Sequence, residues 1–150
     1  MEYSAKLPLH KVVPLFTLPD KYAQPQNLGK QRGREHMLLM IFGDSTDPQR
    51  YLQRLAQRAE DWRQLPARGI VIVGSEDAAG ALGTLPFTIL IDQATSVRSR
   101  FLPDTAQAGL FVLDRYAELY QQWIADDPDA LPSPADIDGW MQAIAMQCSI

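Results

Sequence analysis

The chain has 150 residues, enough for one domain with an adequate core. Hydrophobic residues make up 46% and charged residues 21%, the balance of a soluble globular protein. A formal net charge of −4 argues against wholesale nucleic-acid binding, and no apolar run approaches the roughly 20 residues that span a bilayer.

Met1-Glu2-Tyr3-Ser4-Ala5-Lys6-Leu7-Pro8 lacks the apolar core of a signal peptide, so the expected location is cytoplasmic. The single cysteine, Cys148, excludes an internal disulfide and a cysteine-rich metal site, and no cofactor is expected. Residues 1–15, with Pro8 and Pro14, read as an extended lead-in. Phe16-Thr17-Leu18-Pro19-Asp20 alternates apolar and polar and ends in a turn signal. Lys21 to Asn27 reads as a polar loop, with Leu28 touching the core. Lys30, Arg32 and Arg34 form a small basic cluster, either an anion site or, more economically, a solvated loop.

Met37 to Phe42 is continuously apolar and short, as in a strand buried on both faces. Asp47-Pro48 then predicts a helix start, with Asp47 as N-cap and Pro48 at the first helical position. Leu52, Leu55, Ala59 and Trp62 fall on one helical face, and Pro66 stops the helix. Gly69-Ile70-Val71-Ile72-Val73-Gly74 is a second strand, which completes the βαβ pattern of a parallel sheet. Ser75-Glu76-Asp77 predicts a helix N-terminus. Gly80 and Gly83 keep that helix short and form no phosphate loop, since no Lys-Ser or Lys-Thr follows. Phe87 to Ile91 reads as a strand, and Asp92 as the cap of a helix through Val97, Phe101 and Leu102. Leu110 to Asp114 and Glu118 to Ile124, joined by Arg115-Tyr116-Ala117, read as an antiparallel hairpin. The acidic loop Asp126-Asp127-Pro128-Asp129 lacks the glycine and final glutamate of a calcium loop. Ser133-Pro134-Ala135-Asp136 outlines a capping box. It opens a last helix with Ile137, Trp140, Met141 and Ile144 on its apolar face, which Cys148 extends.

This order of elements resembles the thioredoxin-fold redoxins, in particular the alkyl hydroperoxide reductase and thiol-specific antioxidant (peroxiredoxin-like) family. The resemblance runs from about Pro14 to Ala145 and rests on five pieces. They are Phe16–Asp20, Arg32-Gly33-Arg34, Val71–Asp77, Pro86-Phe87-Thr88-Ile89-Leu90-Ile91-Asp92 and Leu110–Arg115. It implies a single domain over 1–150 of the α/β class, a thioredoxin-like fold with a central mixed β-sheet flanked by helices. The family's catalytic pattern is proline, three residues, threonine or serine, two residues, cysteine. Laid on this chain, Phe42 replaces the proline, Thr46 matches the threonine and Gln49 replaces the cysteine; shifting by one residue puts Arg50 there. Thr46 and Gln49 are thus a vestigial site, because peroxide chemistry needs a thiolate. The activating arginine that the family carries before its third strand is replaced by Ala106-Gln107-Ala108-Gly109, and Gly109 stands where thioredoxins have a cis-proline.

Other chemistry is poorly supported. His10 and His36 share no helix or hairpin spacing with each other or with Cys148, which argues against zinc. His36 and Ser45 sit at opposite ends of one strand, which argues against a Ser-His pair. Asp44 and Asp47 are explained by capping. Cys148 is either a reactive or intermolecular thiol or, on its apolar face, a small buried hydrophobe.

The leading expectation is a non-catalytic binding or assembly module. The alternative is a thiol-dependent antioxidant or oxidoreductase acting through Cys148. A third reading is a small-anion site at Ser45, Thr46, Asp47, Gln49 and Arg50, where helix N–H groups favour negative charge. The expected partner is an unidentified protein, a small anion, or a second copy through the strand bearing Trp123.

Overall fold

The computed structural model describes residues 3–31 and 33–147, so Cys148 and the readings that rest on its surroundings lie outside the described residues. Strands β1 (Thr17–Pro19) and β2 (Pro25–Asn27) pair as a small antiparallel ribbon. The stretch read as a polar loop therefore ends in a strand. Its side chains are polar because the ribbon is largely exposed, which hides it from any hydrophobic pattern. The Asp20 carboxylate closes the ribbon's turn by accepting the Tyr22 N–H at 2.8 Å and the Gln24 N–H at 3.0 Å. Leu28 is buried, as expected, and opens a short 3₁₀ turn, Leu28–Gln31.

The remaining elements are β3 (His36–Phe42), α1 (Gln49–Ala59), β4 (Ala67–Val73), α2 (Glu76–Ala81), β5 (Thr88–Ile91) and α3 (Ser96–Phe101). Then come β6 (Ala108–Leu113), β7 (Leu119–Ala125) and α4 (Pro134–Gln147). They build one five-stranded sheet in the order β5-β4-β3-β6-β7. The pairs β3/β4 and β4/β5 are parallel; β3/β6 and β6/β7 are antiparallel, so the sheet is mixed.

All seven residues of β3 are buried, because this central strand is covered on both sides. Leu38, Met40 and Phe42 meet Leu52 and Leu55 of α1 and Ile137, Met141 and Ile144 of α4 on one face. Met37, Leu39 and Ile41 meet Val97 and Phe101 of α3, with Val13 and Phe16, on the other. Phe101 sits edge-to-face against both Phe111 and Phe16, with ring centroids 5.3 Å and 6.0 Å apart.

The predicted helix face is observed, with one addition and one change of geometry. Tyr51 is buried beside Leu52, Leu55 and Ala59, and its hydroxyl donates to the Pro132 carbonyl at 2.7 Å. Burial chiefly, partly offset by the Arg54 charge, holds its phenol well above the usual tyrosine range. Trp62 lies beyond α1, in the 3₁₀ turn Glu60–Gln64, and is fully buried against Phe87. Its indole N–H donates to Asp138 of α4 at 2.9 Å.

The predicted hairpin is β6–β7. Its turn is closed by the buried Asp114, which accepts the N–H groups of Tyr116 and Glu118 at 2.8 and 3.0 Å. As expected, the strand bearing Trp123 is a sheet edge. Residues 7–13 lie along it. The Leu119 N–H donates to Lys11 and the Leu119 carbonyl accepts from His10, while the Gln122 amide donates to the Leu7 carbonyl. A second copy pairing on this edge would have to displace or avoid that segment. None of the described helices is long and apolar enough to cross a membrane.

Candidate functional site

The connection from β3 to α1 gathers the residues singled out in the sequence. α1 begins at Gln49, one residue later than predicted. Pro48 has ψ of 1°, short of a helical turn, so it flanks the helix, and its carbonyl accepts the Leu52 N–H at 2.9 Å. Asp47 is therefore not the N-cap. Its carboxylate accepts the Gln49 N–H at 3.2 Å from one position further out. Thr46 folds its hydroxyl back onto the Gly43 carbonyl at 2.7 Å, and Ser45 donates to the side-chain oxygen of Gln107 at 2.7 Å. Arg50 is exposed and Gln49 half-buried at the first turn of α1. The five candidates are thus neighbours, but both hydroxyls are engaged inside the loop.

A cleft of about 440 Å³ opens between α1 and α2 at the C-terminal ends of β3 and β4. Phe42, Val73 and Leu82 contribute apolar wall, and Gln49, Thr46 and Ser75 line its polar side. Three carboxyl-bearing residues line it, Asp44, Asp47 and Asp77, and no basic residue does. Asp44 packs so closely on Gly74 that any side chain there would collide with it. This charge balance opposes an anion at the start of α1, against the favourable partial charge of the helix.

The opposite side of the same turn carries a cation that sequence reading missed. Arg98, from α3, donates through Nη2 to the Ala106 carbonyl at 3.1 Å and lies against Gly43. Gln107 reaches the same place, and its backbone carbonyl accepts the Gly43 N–H at 2.8 Å. The region before β6 thus lacks an arginine of its own, while α3 brings a guanidinium to it. The only sequence signal is the glycine directly after a buried strand.

The histidines are far from this turn. His36 begins β3, at the end opposite Ser45, and accepts the Arg115 N–H at Nδ1. His10 packs its ring edge-on against Tyr120. A larger cavity of about 620 Å³ also lies at the far end of β4, where Arg68 pairs with Glu35 and donates to Thr88.

No family model matches the sequence, and no curated protein matches it. Solved structures do. The mitochondrial 2-Cys peroxiredoxin of Plasmodium falciparum superposes with a TM-score of 0.78 at 16% identity, covering 91% of this chain and 94% of that one. A Chlorobium tepidum protein described as thiol:disulfide interchange protein DsbE gives 0.73 at 17% identity, covering 93% and 99%. The peroxidoxin BcpB of Mycobacterium tuberculosis gives 0.70 at 15% identity, covering 95% and 98%. Together with the mixed sheet and its flanking helices, these define the fold class: an α/β thioredoxin-like fold. At such identities the likeness extends to the fold and not to the chemistry.

Proposed function

We propose that this chain is a redoxin-family protein that binds a partner at the C-terminal end of its sheet and does no thiol-peroxidase chemistry there. The observation that carries the reading is the occupant of the first position of α1, Gln49, in a turn whose Ser45 and Thr46 hydroxyls are already hydrogen-bonded internally. A peroxidatic thiolate needs the helix N-terminus and nearby cations to lower its pKa. Here the position holds an amide, and the adjoining cleft is lined by three carboxylates. The cleft favours a protein or small ligand that presents hydrogen-bond donors or positive charge.

The test is stopped-flow consumption of hydrogen peroxide by the reduced protein. The expected rate is no faster than that of free cysteine at the same concentration. Faster turnover that disappears in Cys148→Ser would replace this reading with an antioxidant acting through Cys148. Faster turnover that survives the substitution would defeat both.

A further inference from the structure

The chain leaves β3 on one face through α1 toward β4, and returns on the other face through α3 to β6. The C-terminal end of β3 therefore lies between connections that run on opposite faces of the sheet, beside the start of the antiparallel β6. Two side chains converge there. Arg98 approaches Gly43 so closely that a Cβ on the glycine would stand 2.8 Å from Nη2 and 2.9 Å from Cζ. The missing side chain is what admits the guanidinium. Gln107 arrives from the start of β6. Its Oε1 accepts the Ser45 hydroxyl, which fixes the amide and leaves Nε2 as a donor.

The guanidinium of Arg98 makes no ion pair among the described residues. Arg98 is half-buried, and the acceptor it finds is a neutral carbonyl, Ala106. Among the described residues, no carboxylate lies within 4.0 Å of its guanidinium nitrogens, the ion pairs being Lys6–Asp104 and Arg68–Glu35; the buried Asp92 carboxylate accepts the Arg98 backbone N–H at 2.9 Å. A partly desolvated guanidinium without a counter-charge is unfavourable, and its planar fork of donors matches a carboxylate.

We propose that Arg98 and Gln107 form a binding site for one carboxylate group of a small acid. The inference rests on reading this end of the sheet as a binding site, and it does not depend on whether the chain consumes peroxide. It assigns the acidic cleft and the carboxylate site to opposite sides of the β3–α1 turn.

The experiment is an amide and arginine-Nε NMR titration of the whole chain with sodium acetate, and separately with sodium sulfate, at constant ionic strength. Acetate should give saturable shifts at Gly43, Gln107 and the Arg98 side chain, at lower concentration than sulfate. Arg98→Gln should weaken acetate at least tenfold. Gln107→Glu places a carboxylate beside Arg98 from within the chain, so it should abolish the titration and raise the melting temperature. Gly43→Ala should push both side chains aside and weaken binding with the fold intact. The proposal is overturned by the absence of saturable shifts, by shifts confined to the first amides of α1, or by sulfate saturating where acetate does not. If Arg98→Gln fails to fold, acetate binding that survives in Gln107→Glu overturns it. Peroxide turnover would defeat the non-catalytic reading of this chain and leave this result standing.

Discussion

His36 stands at the first position of β3, almost completely buried, with Nδ1 accepting the Arg115 N–H. Burial lowers its pKa below the ordinary value of 6.5. The Arg115 charge adds to this, and Asp114 opposes it. A histidine held neutral in the folded state, but free to protonate when unfolded, contributes stability fully above about pH 6.5. That contribution is lost as the pH falls from there toward the folded pKa. Urea midpoints at pH 7.5 and 5.5 should therefore drop on acidification. The drop should shrink in His36→Asn, whose side-chain oxygen can still accept the N–H but does not titrate; an equal drop in both proteins would refute the assignment. Position 49 gives a second prediction. A thiol in Gln49→Cys, with Cys148→Ser, would feel the partial charge of α1 but also the carboxylates of Asp44, Asp47 and Asp77. We expect its pKa at or above the reference of about 8.5, read from thiolate absorbance against pH. A clearly lower value would mean that the helix outweighs the three aspartates. Arg98 shows the limit of reading residues in line. The sequence order invites a search for a cation just before β6, where Ala106 to Gly109 offer none, whereas the guanidinium comes from the preceding helix.

Elements were legible where burial is two-sided or strictly periodic. β3 and β4 show as apolar runs, α1 as a stripe, and β6–β7 as paired runs around a short turn. β2 was not legible, because a polar ribbon carries no hydrophobic signal, and the start of α1 was misplaced by one residue because the dihedral angles of Pro48 decide it. Tyr51 escaped notice because a phenol is compatible with either side of a helix until its hydroxyl finds an acceptor. Trp62 joins three elements: it follows α1, packs on Phe87 ahead of β5, and bonds Asp138 of α4. Trp62→Ala should cost about 3–5 kcal/mol, from a cavity and from the loss of that bond. Trp62→Phe should recover most of the packing but leave Asp138 without the indole donor, at a cost nearer 1 kcal/mol. Equal denaturation midpoints for the two variants would show that the ring contributes nothing beyond its hydrogen bond.

At the scale of the whole molecule, the two sheet edges are treated differently. β5 meets the small ribbon at the Asp20–Leu90 bridge, and β7 is covered from Leu119 to Gln122 by residues 7–13. An uncovered edge is a template for another chain. Deleting residues 1–12, which keeps the buried Val13, should make sedimentation depend more strongly on concentration than in the full chain. Unchanged sedimentation would show that the edge is closed by other means. The central position of β3 also sets an order in time. It meets β4 after about thirty residues and β6 only after about seventy, so closing the second pairing costs more chain entropy than the first. The unit β3–α1–β4 should therefore be structured in the folding transition state, with the β6–β7 hairpin docking late. In stopped-flow kinetics, Leu55→Ala should chiefly slow refolding, and Leu113→Ala should chiefly speed unfolding. The reverse pattern would place the nucleus on the antiparallel side of the sheet. On the expected order, the surfaces that frame Gly43 from β6 arrive last, so an intermediate caught before docking would hold the acidic cleft while Arg98 and Gln107 were still unassembled.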